Sequence, residues 1–302
     1  MTTLASPALS GAKRTGTTPG RLIGAEILKV RTTNAWWLFT IGVVVFTLLA
    51  LAVNWLGHHF ELHPPISQLN ADQQRTAEAS AALARTPPGL AKITADMVTS
   101  GQMFGCLLAL VLGSLVVTNE FYHQTATATF MTTPHRTAVL LAKLMAAALF
   151  GAVFWAVSTV LDFVATPVFL HTEHVSYGMF SWIPMRSVLL NLLAFVLWAV
   201  FGCGLGALIR NQIGAVITGV VVYLIGSIAI QLLFQLLHVL IPHDWVLTAQ
   251  VAAPGVASRV LLTPGRAFDH APPQWAGGVV LVAYAAIFTI IGIALTRKRD
   301  IS

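Results

Sequence analysis

The sequence has very little charge. Only 9% of its 302 residues are Asp, Glu, Lys or Arg, whereas soluble domains carry roughly 25%. A water-facing surface for a chain of this length cannot be built from so few charged side chains, which excludes a soluble globular protein. Hydrophobic residues make up 56% of the sequence. This composition is that of a chain that uses a lipid bilayer as its solvent.

Cysteines are scarce and the motifs of common enzymes are absent. Cys106 and Cys203 both lie in apolar stretches, so no disulfide framework is indicated. The sequence has no Gly-Lys-Ser/Thr step of a phosphate-binding loop, no Gly-x-Ser-x-Gly elbow and no His-Glu-x-x-His pair. We therefore predict that this chain is not an enzyme, has no catalytic residue and binds no cofactor itself.

Six apolar segments are long enough to cross a hydrocarbon core of about 30 Å as helices, at about 1.5 Å per residue. They exceed the roughly 10 residues of a barrel strand and lack two-residue alternation. The sequence predicts an all-α membrane protein with a disordered leader over 1–18 and one transmembrane domain over 19–302. The predicted spans are 35–56, 99–118, 137–165, 187–209, 213–237 and 275–296.

The basic residues predict the orientation. Eleven of the 17 Lys and Arg residues precede the first span, lie at the short second and fourth loops, or follow the last span. The positive-inside rule predicts that both termini of a multi-pass plasma-membrane protein are cytoplasmic. A signal peptide cleaved at Ala50-Leu51-Ala52 is the alternative, but the long basic leader favours a retained span. The basic residues flank apolar runs, so we predict no nucleic-acid partner.

The segment before the first span shows helical periodicity. Ile23, Ile27 and Val30 recur at helical spacing, which predicts an amphipathic helix on the inner membrane surface, or else a polar extension of the first span. Its polar residues are Glu26, Lys29 and Arg31.

Two longer segments are predicted to be external. In the loop over 57–98, residues 67–84 predict a helix that Pro87 and Pro88 end. Before the last span, apolar stretches over 246–251 and 256–262 are too short to cross, and they suit re-entrant or interfacial helices.

The loop between the second and third spans combines a carboxylate, aromatic rings, hydroxyls and a proline, where a simple connection needs only a turn. Such a loop can form a compact knob that enters a groove on a soluble partner. The candidate partner-facing residues are Glu120, Phe121, Tyr122, Thr125, Pro134, Arg136 and Lys143.

This loop resembles the cytoplasmic coupling loop of ABC-2-type transporter permeases. The family usually has an acidic residue, then Gly-Thr, then Pro-x-Arg and a Lys at the start of the third span. Gln124 departs from it, because the family commonly has Gly there. The matching patterns are Glu120-x4-Thr125-x8-Pro134-x-Arg136-x6-Lys143, Glu26-x2-Lys29-x-Arg31 and Gly206-x3-Arg210.

The resemblance implies the permease subunit of an ABC exporter. In that family the amphipathic leader is a connecting helix, the second loop contains a cytoplasmic coupling helix, and re-entrant helices precede the last span. Two permease copies, identical or different, pair with separate cytoplasmic ATPase subunits. The resemblance therefore implies that ATP and Mg²⁺ are bound by the partner subunit and that substrate moves out of the cytoplasm.

Two other function classes remain open. An ion- or proton-driven secondary transporter needs ionisable groups within the membrane, and Asp162 lies in the third apolar run. It is 19 residues beyond Lys143, about 28 Å at helical rise, so we expect a wetted carboxylate at the outer face. The alternative is a proton-relay or substrate site. The third class, a membrane-embedded enzyme, lacks a motif.

Two glycines and two pairs of histidines recur at helical spacing. Gly202 and Gly206 form a small-xxx-small pair, for packing within the chain or between two copies. His59 and His63 are spaced i, i+4, and His171 and His174 i, i+3; both spacings are usable for metal. No cysteine joins them, and we assign no metal ligand.

Overall fold

The computed structural model describes residues 18–68, 70–125 and 136–298. Of these residues 84% are helical and none lies in a β-strand. The helices are α1 Pro19–Thr32, α2 Ala35–Leu62, α3 Ala71–Ala84, α4 Pro87–Met97, α5 Gln102–Tyr122, α6 Arg136–Thr172, α7 Trp182–Leu208, α8 Gln212–Val221, α9 Ser227–Leu240, α10 Asp244–Ala249, α11 Pro254–Leu262 and α12 Gln274–Lys298.

Six helical segments are long and apolar enough to cross a membrane, so the all-α multi-pass architecture is confirmed. The second combines α4 with α5, and the fifth combines α8, a π-helical turn at Val222–Gly226, and α9. Each predicted span lies inside one of these segments, except that the fourth predicted span ends one residue beyond Leu208, and several segments extend by 5 to 12 residues past the predicted bounds. The segments are Ala35–Leu62, Pro87–Tyr122, Arg136–Thr172, Trp182–Leu208, Gln212–Leu240 and Gln274–Thr296.

The predicted external loop over 57–98 is mostly helical. The first span continues to Leu62, and α3 begins with a capping box between Asn70 and Gln73. Pro87 begins α4 instead of only ending the previous helix, because proline is tolerated in a first helical turn. Ile93 and Met97 are buried against α2 and α6. Part of this segment is therefore core.

Helices α5 and α7 pack in direct backbone contact at the centre of the bundle. A Cβ added at Gly202 would collide with the carbonyl oxygen of Leu110, and one at Gly206 would lie 2.6 Å from that of Ser114. Small residues allow such close approach between membrane helices. Trp198 and Phe195 of α7 are buried beside this contact. Gly202 and Gly206 thus pack within the chain.

Two short helices precede the last span. Asp244–Ala252, which includes α10, and α11 meet at an angle of 101° where the sequence predicts two short apolar helices. Val256 and Leu261 of α11 are buried in the protein. Such a bent pair is either a broken span or a re-entrant loop.

Candidate functional site

Four charged side chains from α1, α5 and α6 form an ion network. Lys29 Nζ lies 2.7 Å from Glu26 Oε1 and 2.6 Å from Glu120 Oε1. Lys143 Nζ lies 2.7 Å from Glu26 Oε2 and 2.8 Å from Glu120 Oε1. Each carboxylate therefore contacts both ammonium groups, and the four formal charges cancel. We call these four residues the ion network and this end of the bundle the α1 end.

Three of the four members of the ion network are buried. Glu26, Glu120 and Lys143 are 5%, 7% and 3% exposed. Lys143 also donates a hydrogen bond to the carbonyl oxygen of Val116 at 3.2 Å. Charged groups withdrawn from water are stable only when they are paired and hydrogen-bonded. The ion network thus fixes α1 against the neighbouring ends of α5 and α6.

Lys29 is the exposed member, and it lies outside the candidate spans. Burial lowers its pKa, but hydrogen bonds and charge from Glu120 and Glu26 outweigh this effect and raise the pKa above its ordinary value of 10.5. A raised lysine pKa stabilises the fold fully below the unfolded value, and the contribution is lost as pH rises through the folded value. Lys29 therefore stays charged throughout the physiological range.

Helix α5 ends in a Schellman motif. The Thr125 N–H donates to the carbonyl oxygen of Glu120 at 2.9 Å, and the Gln124 N–H donates to that of Phe121 at 3.3 Å. Gln124 has φ of 55°, the left-handed conformation that usually selects glycine at this position. Gln124, the departure from the ABC-2 pattern, thus occupies a position where glycine would be the ordinary choice.

Phe121 and Arg136 lie beside the ion network. The guanidinium carbon of Arg210 is 5.1 Å from the centroid of the Phe121 ring, within cation–π distance. Arg136 Nη1 donates to the carbonyl oxygen of Thr296 at 3.3 Å. The end of α5, the start of α6, the α7–α8 turn and the end of α12 therefore meet at the α1 end.

The structure buries three of the predicted site residues. Glu26 is buried instead of lying on the polar side of α1, because its carboxylate binds Lys143. Glu120 and Lys143, which the sequence predicts to face a partner, are buried within the chain in the ion network, and their contact with a partner stays a prediction. Spacing alone did not indicate contacts between residues 117 positions apart, as in the Lys143–Glu26 bond.

The remaining predicted residues fall into two groups. Tyr122 is 67% exposed, and Thr125 and Arg31 are also exposed at the α1 end. Pro134 and most of the predicted coupling helix lie in 126–135, outside the described residues, as does the leader over 1–17.

A cavity of about 550 Å³ opens at the opposite end of the bundle. His58 Nε2 lies 3.9 Å from Asp96 Oδ2, and Asn54 Nδ2 donates to Ser100 Oγ at 2.9 Å. The charged and ionisable residues that line the cavity are His58, Lys92, Asp96 and Arg259.

Asp162 is buried, so the expectation of a wetted carboxylate is wrong. The residue is 0% exposed, and Ser158 Oγ donates to its Oδ2 at 3.4 Å. Oδ1 makes no hydrogen bond of ordinary geometry among the described residues, although the Gly101 backbone lies near enough to interact weakly with the carboxylate. The reason is the break between α4 and α5, where Gly101 approaches Ser158 and the carboxylate. Asp162 lies 19 residues beyond Lys143 on α6, and neighbouring helices cover it.

Comparison with known sequences gives one family match. A family model described as "Protein of unknown function (DUF2705)" matches residues 87–302, which include α4 to α12 and therefore Glu120 and Lys143. No curated protein matches the sequence.

Proposed function

The chain belongs to this family of unknown function, and we propose that it is the transmembrane permease subunit of an ATP-driven exporter of the ABC-2 type. A separate cytoplasmic ATPase subunit binds ATP and Mg²⁺ and supplies the energy. The observation that carries the proposal is the ion network, because it joins α1 to both helices that flank the connection over 126–135.

The ion network couples movement of the connection over 126–135 to movement of α1. A partner that pushes on 126–135 acts on the ends of α5 and α6, and the four ion pairs make α1 move with them. Helix α5 transmits the displacement to α7, since the two backbones touch at Gly202 and Gly206. Packed interiors pass on such displacements because they resist compression.

The proposal includes an orientation. The α1 end faces the cytoplasm, and α1 lies on the inner membrane surface as the connecting helix. The bent pair before α12 enters the membrane from outside as a re-entrant element. Two copies enclose the pathway in the plasma membrane, and the cavity lined by Lys92 and Arg259 lies toward its external end.

Gentle purification from the native membrane tests the proposal. The tagged chain should bring down a stoichiometric ATPase that carries a phosphate-binding loop, identified by mass spectrometry. A chain that emerges reproducibly alone, with no ATPase even after cross-linking, would refute it.

A second candidate is an ion- or proton-driven secondary transporter. It is favoured by one observation, the fully buried Asp162 carboxylate that forms no ion pair among the described residues, since intramembrane ionisable residues commonly mark ion pathways. Asp162→Asn separates the two candidates in a transport assay. An ABC permease should keep its transport rate, whereas a folded variant that loses transport supports the secondary transporter.

A further inference from the structure

Two histidines on α2 face a carboxylate at the end of α6. His59 and His63 are one helical turn apart and on one face of the helix. Their Nδ1 atoms lie 3.1 Å from Glu173 Oε1 and 3.2 Å from Glu173 Oε2, respectively. The ligand atoms of all three side chains lie within 4.8 Å of one another. This cluster lies at the end of the bundle opposite the ion network.

Glu173 needs a cationic partner. Its side chain is only 5% exposed, and it follows Thr172 at the end of α6, where unpaired carbonyl groups create a partial negative charge. In the part of the chain that the structure describes, no Lys or Arg forms an ion pair with it. The two imidazoles are hydrogen-bond partners of the carboxylate but supply no permanent positive charge. Burying an uncompensated charge is costly, so a cation held jointly with the two imidazoles would stabilise it.

The backbone holds Glu173 rigidly. The Val175 N–H donates to the carbonyl oxygen of Leu170 at 3.1 Å and the His174 N–H to that of His171 at 3.2 Å, which closes a Schellman motif around Glu173. Beneath it, the rings of Trp55 and Phe169 join α2 to α6 edge to face. The histidine side chains are 45% exposed, so an ion can reach them.

We propose that His59, His63 and Glu173 bind a divalent transition-metal ion such as Zn²⁺. Two imidazole nitrogens and one carboxylate suit zinc, whereas Ca²⁺ and Mg²⁺ prefer all-oxygen sites. Zinc bond lengths place neighbouring ligands of a tetrahedron about 3.3 Å apart, close to the 3.1 and 3.2 Å that separate one oxygen, Glu173 Oε2, from the Nδ1 atoms of His59 and His63. The fourth position is left for water or another ligand.

Arg85 competes with the metal. Its Nη2 lies 2.9 Å from His63 Nε2, and a guanidinium only donates hydrogen bonds. Nε2 therefore accepts, and the ring proton is on Nδ1, which faces Glu173. Metal at Nδ1 requires the proton to move to Nε2, where it would oppose the Arg85 N–H. Removing the Arg85 side chain should thus tighten metal binding.

Zinc titration of the full-length chain tests the site. The protein carries a tag without histidine, is placed in lipid nanodiscs and is stripped with chelator before titration with Zn²⁺. We expect one ion per chain, and Co²⁺ in place of Zn²⁺ should give the visible absorption of a four-coordinate site. Glu173→Gln and His59→Asn should each weaken Zn²⁺ binding by at least about 100-fold. Even the loss of a residue that only hydrogen-bonds to a metal ligand lowers metal affinity about 10- to 100-fold.

Two further variants make the test specific. Arg85→Ala should bind Zn²⁺ more tightly than the wild type. His171→Asn should bind it equally well, since His171 is exposed two residues from Glu173 but lies outside the cluster. Thermal unfolding in chelator checks that each variant is folded, and His59→Asn replaces Glu173→Gln if the latter is not. Absence of stoichiometric binding, or equal binding by wild type and folded ligand variants, would overturn the proposal.

Discussion

Lys143 is the residue on which the ion network most depends. It is 3% exposed and contacts both Glu26 and Glu120. Lys143→Met leaves two buried carboxylates with Lys29 as their partner in the ion network. Removing one member of a buried ion pair costs about 3–5 kcal/mol, so we predict a marked fall in the thermal-unfolding midpoint in detergent.

A second substitution provides the control for Lys143. Lys143→Met combined with Glu120→Gln removes one positive and one negative charge, so the remaining pair, Lys29 and Glu26, is again balanced. We expect the double variant to recover a substantial part of the lost stability. Glu120→Gln is also measured alone. If the double variant is destabilised by the sum of the two single-variant effects, lost packing and not unbalanced charge explains the loss of stability.

Some features of single residues could be predicted from the sequence and others could not. The sequence pointed to Glu26, Lys29, Glu120 and Lys143 as functional, but not to their mutual contact, which depends on how α1 packs. Likewise His59 and His63 stood out by their spacing, whereas Glu173 is 110 or more positions away and only the fold brings it to them. Long-range charge pairing has no local periodicity that could reveal it.

At the scale of elements, the contact between α5 and α7 depends on Gly202. A Cβ there would meet backbone atoms of Leu110, which cannot rotate away as a side chain can. Overpacking of this kind typically costs about 1–3 kcal/mol. We predict that Gly202→Ala lowers the thermal-unfolding midpoint and the yield of folded protein measured by size-exclusion chromatography.

Gly57 supplies the matched control, because a Cβ there meets nothing within 4 Å. Gly57→Ala should leave stability unchanged or raise it slightly, since alanine is the better helix former by about 1 kcal/mol. Equal destabilisation by both substitutions would contradict the packing argument.

Hydrophobic runs predicted the six spans because the length of an apolar helix is set by bilayer thickness. They did not predict α4, because its mixed sequence of Ala, Lys, Thr and Asp is typical of a loop. Helix α4 is buried by packing against the spans, with Ile93 and Met97 in the core, and this tertiary burial has no counterpart in average hydropathy. The Schellman turn at Gln124 was also hidden, because Gln is not a usual turn residue.

At the scale of the whole molecule, the two ends of the bundle are chemically different. The α1 end holds buried charge that balances internally and an exposed ring, Tyr122. The opposite end holds the His59–His63–Glu173 cluster and the cavity with Lys92 and Arg259. The proposed function would use this division, because an ATPase-driven permease binds a protein subunit at one end and releases substrate at the other.

Tyr122 therefore tests at which end of the bundle the proposed ATPase partner binds. The side chain is 67% exposed and has no role in the ion network, so Tyr122→Ala should leave the thermal-unfolding midpoint unchanged. Buried aromatic anchors at interfaces commonly contribute about 2 kcal/mol or more, so ATPase recovered by pull-down should fall by about tenfold or more. Phe180→Ala is the matched control, because Phe180 is 73% exposed but follows α6 at the opposite end. Loss of the ATPase from the Phe180 variant and not from the Tyr122 variant would place the partner at the other end and reverse the proposed orientation.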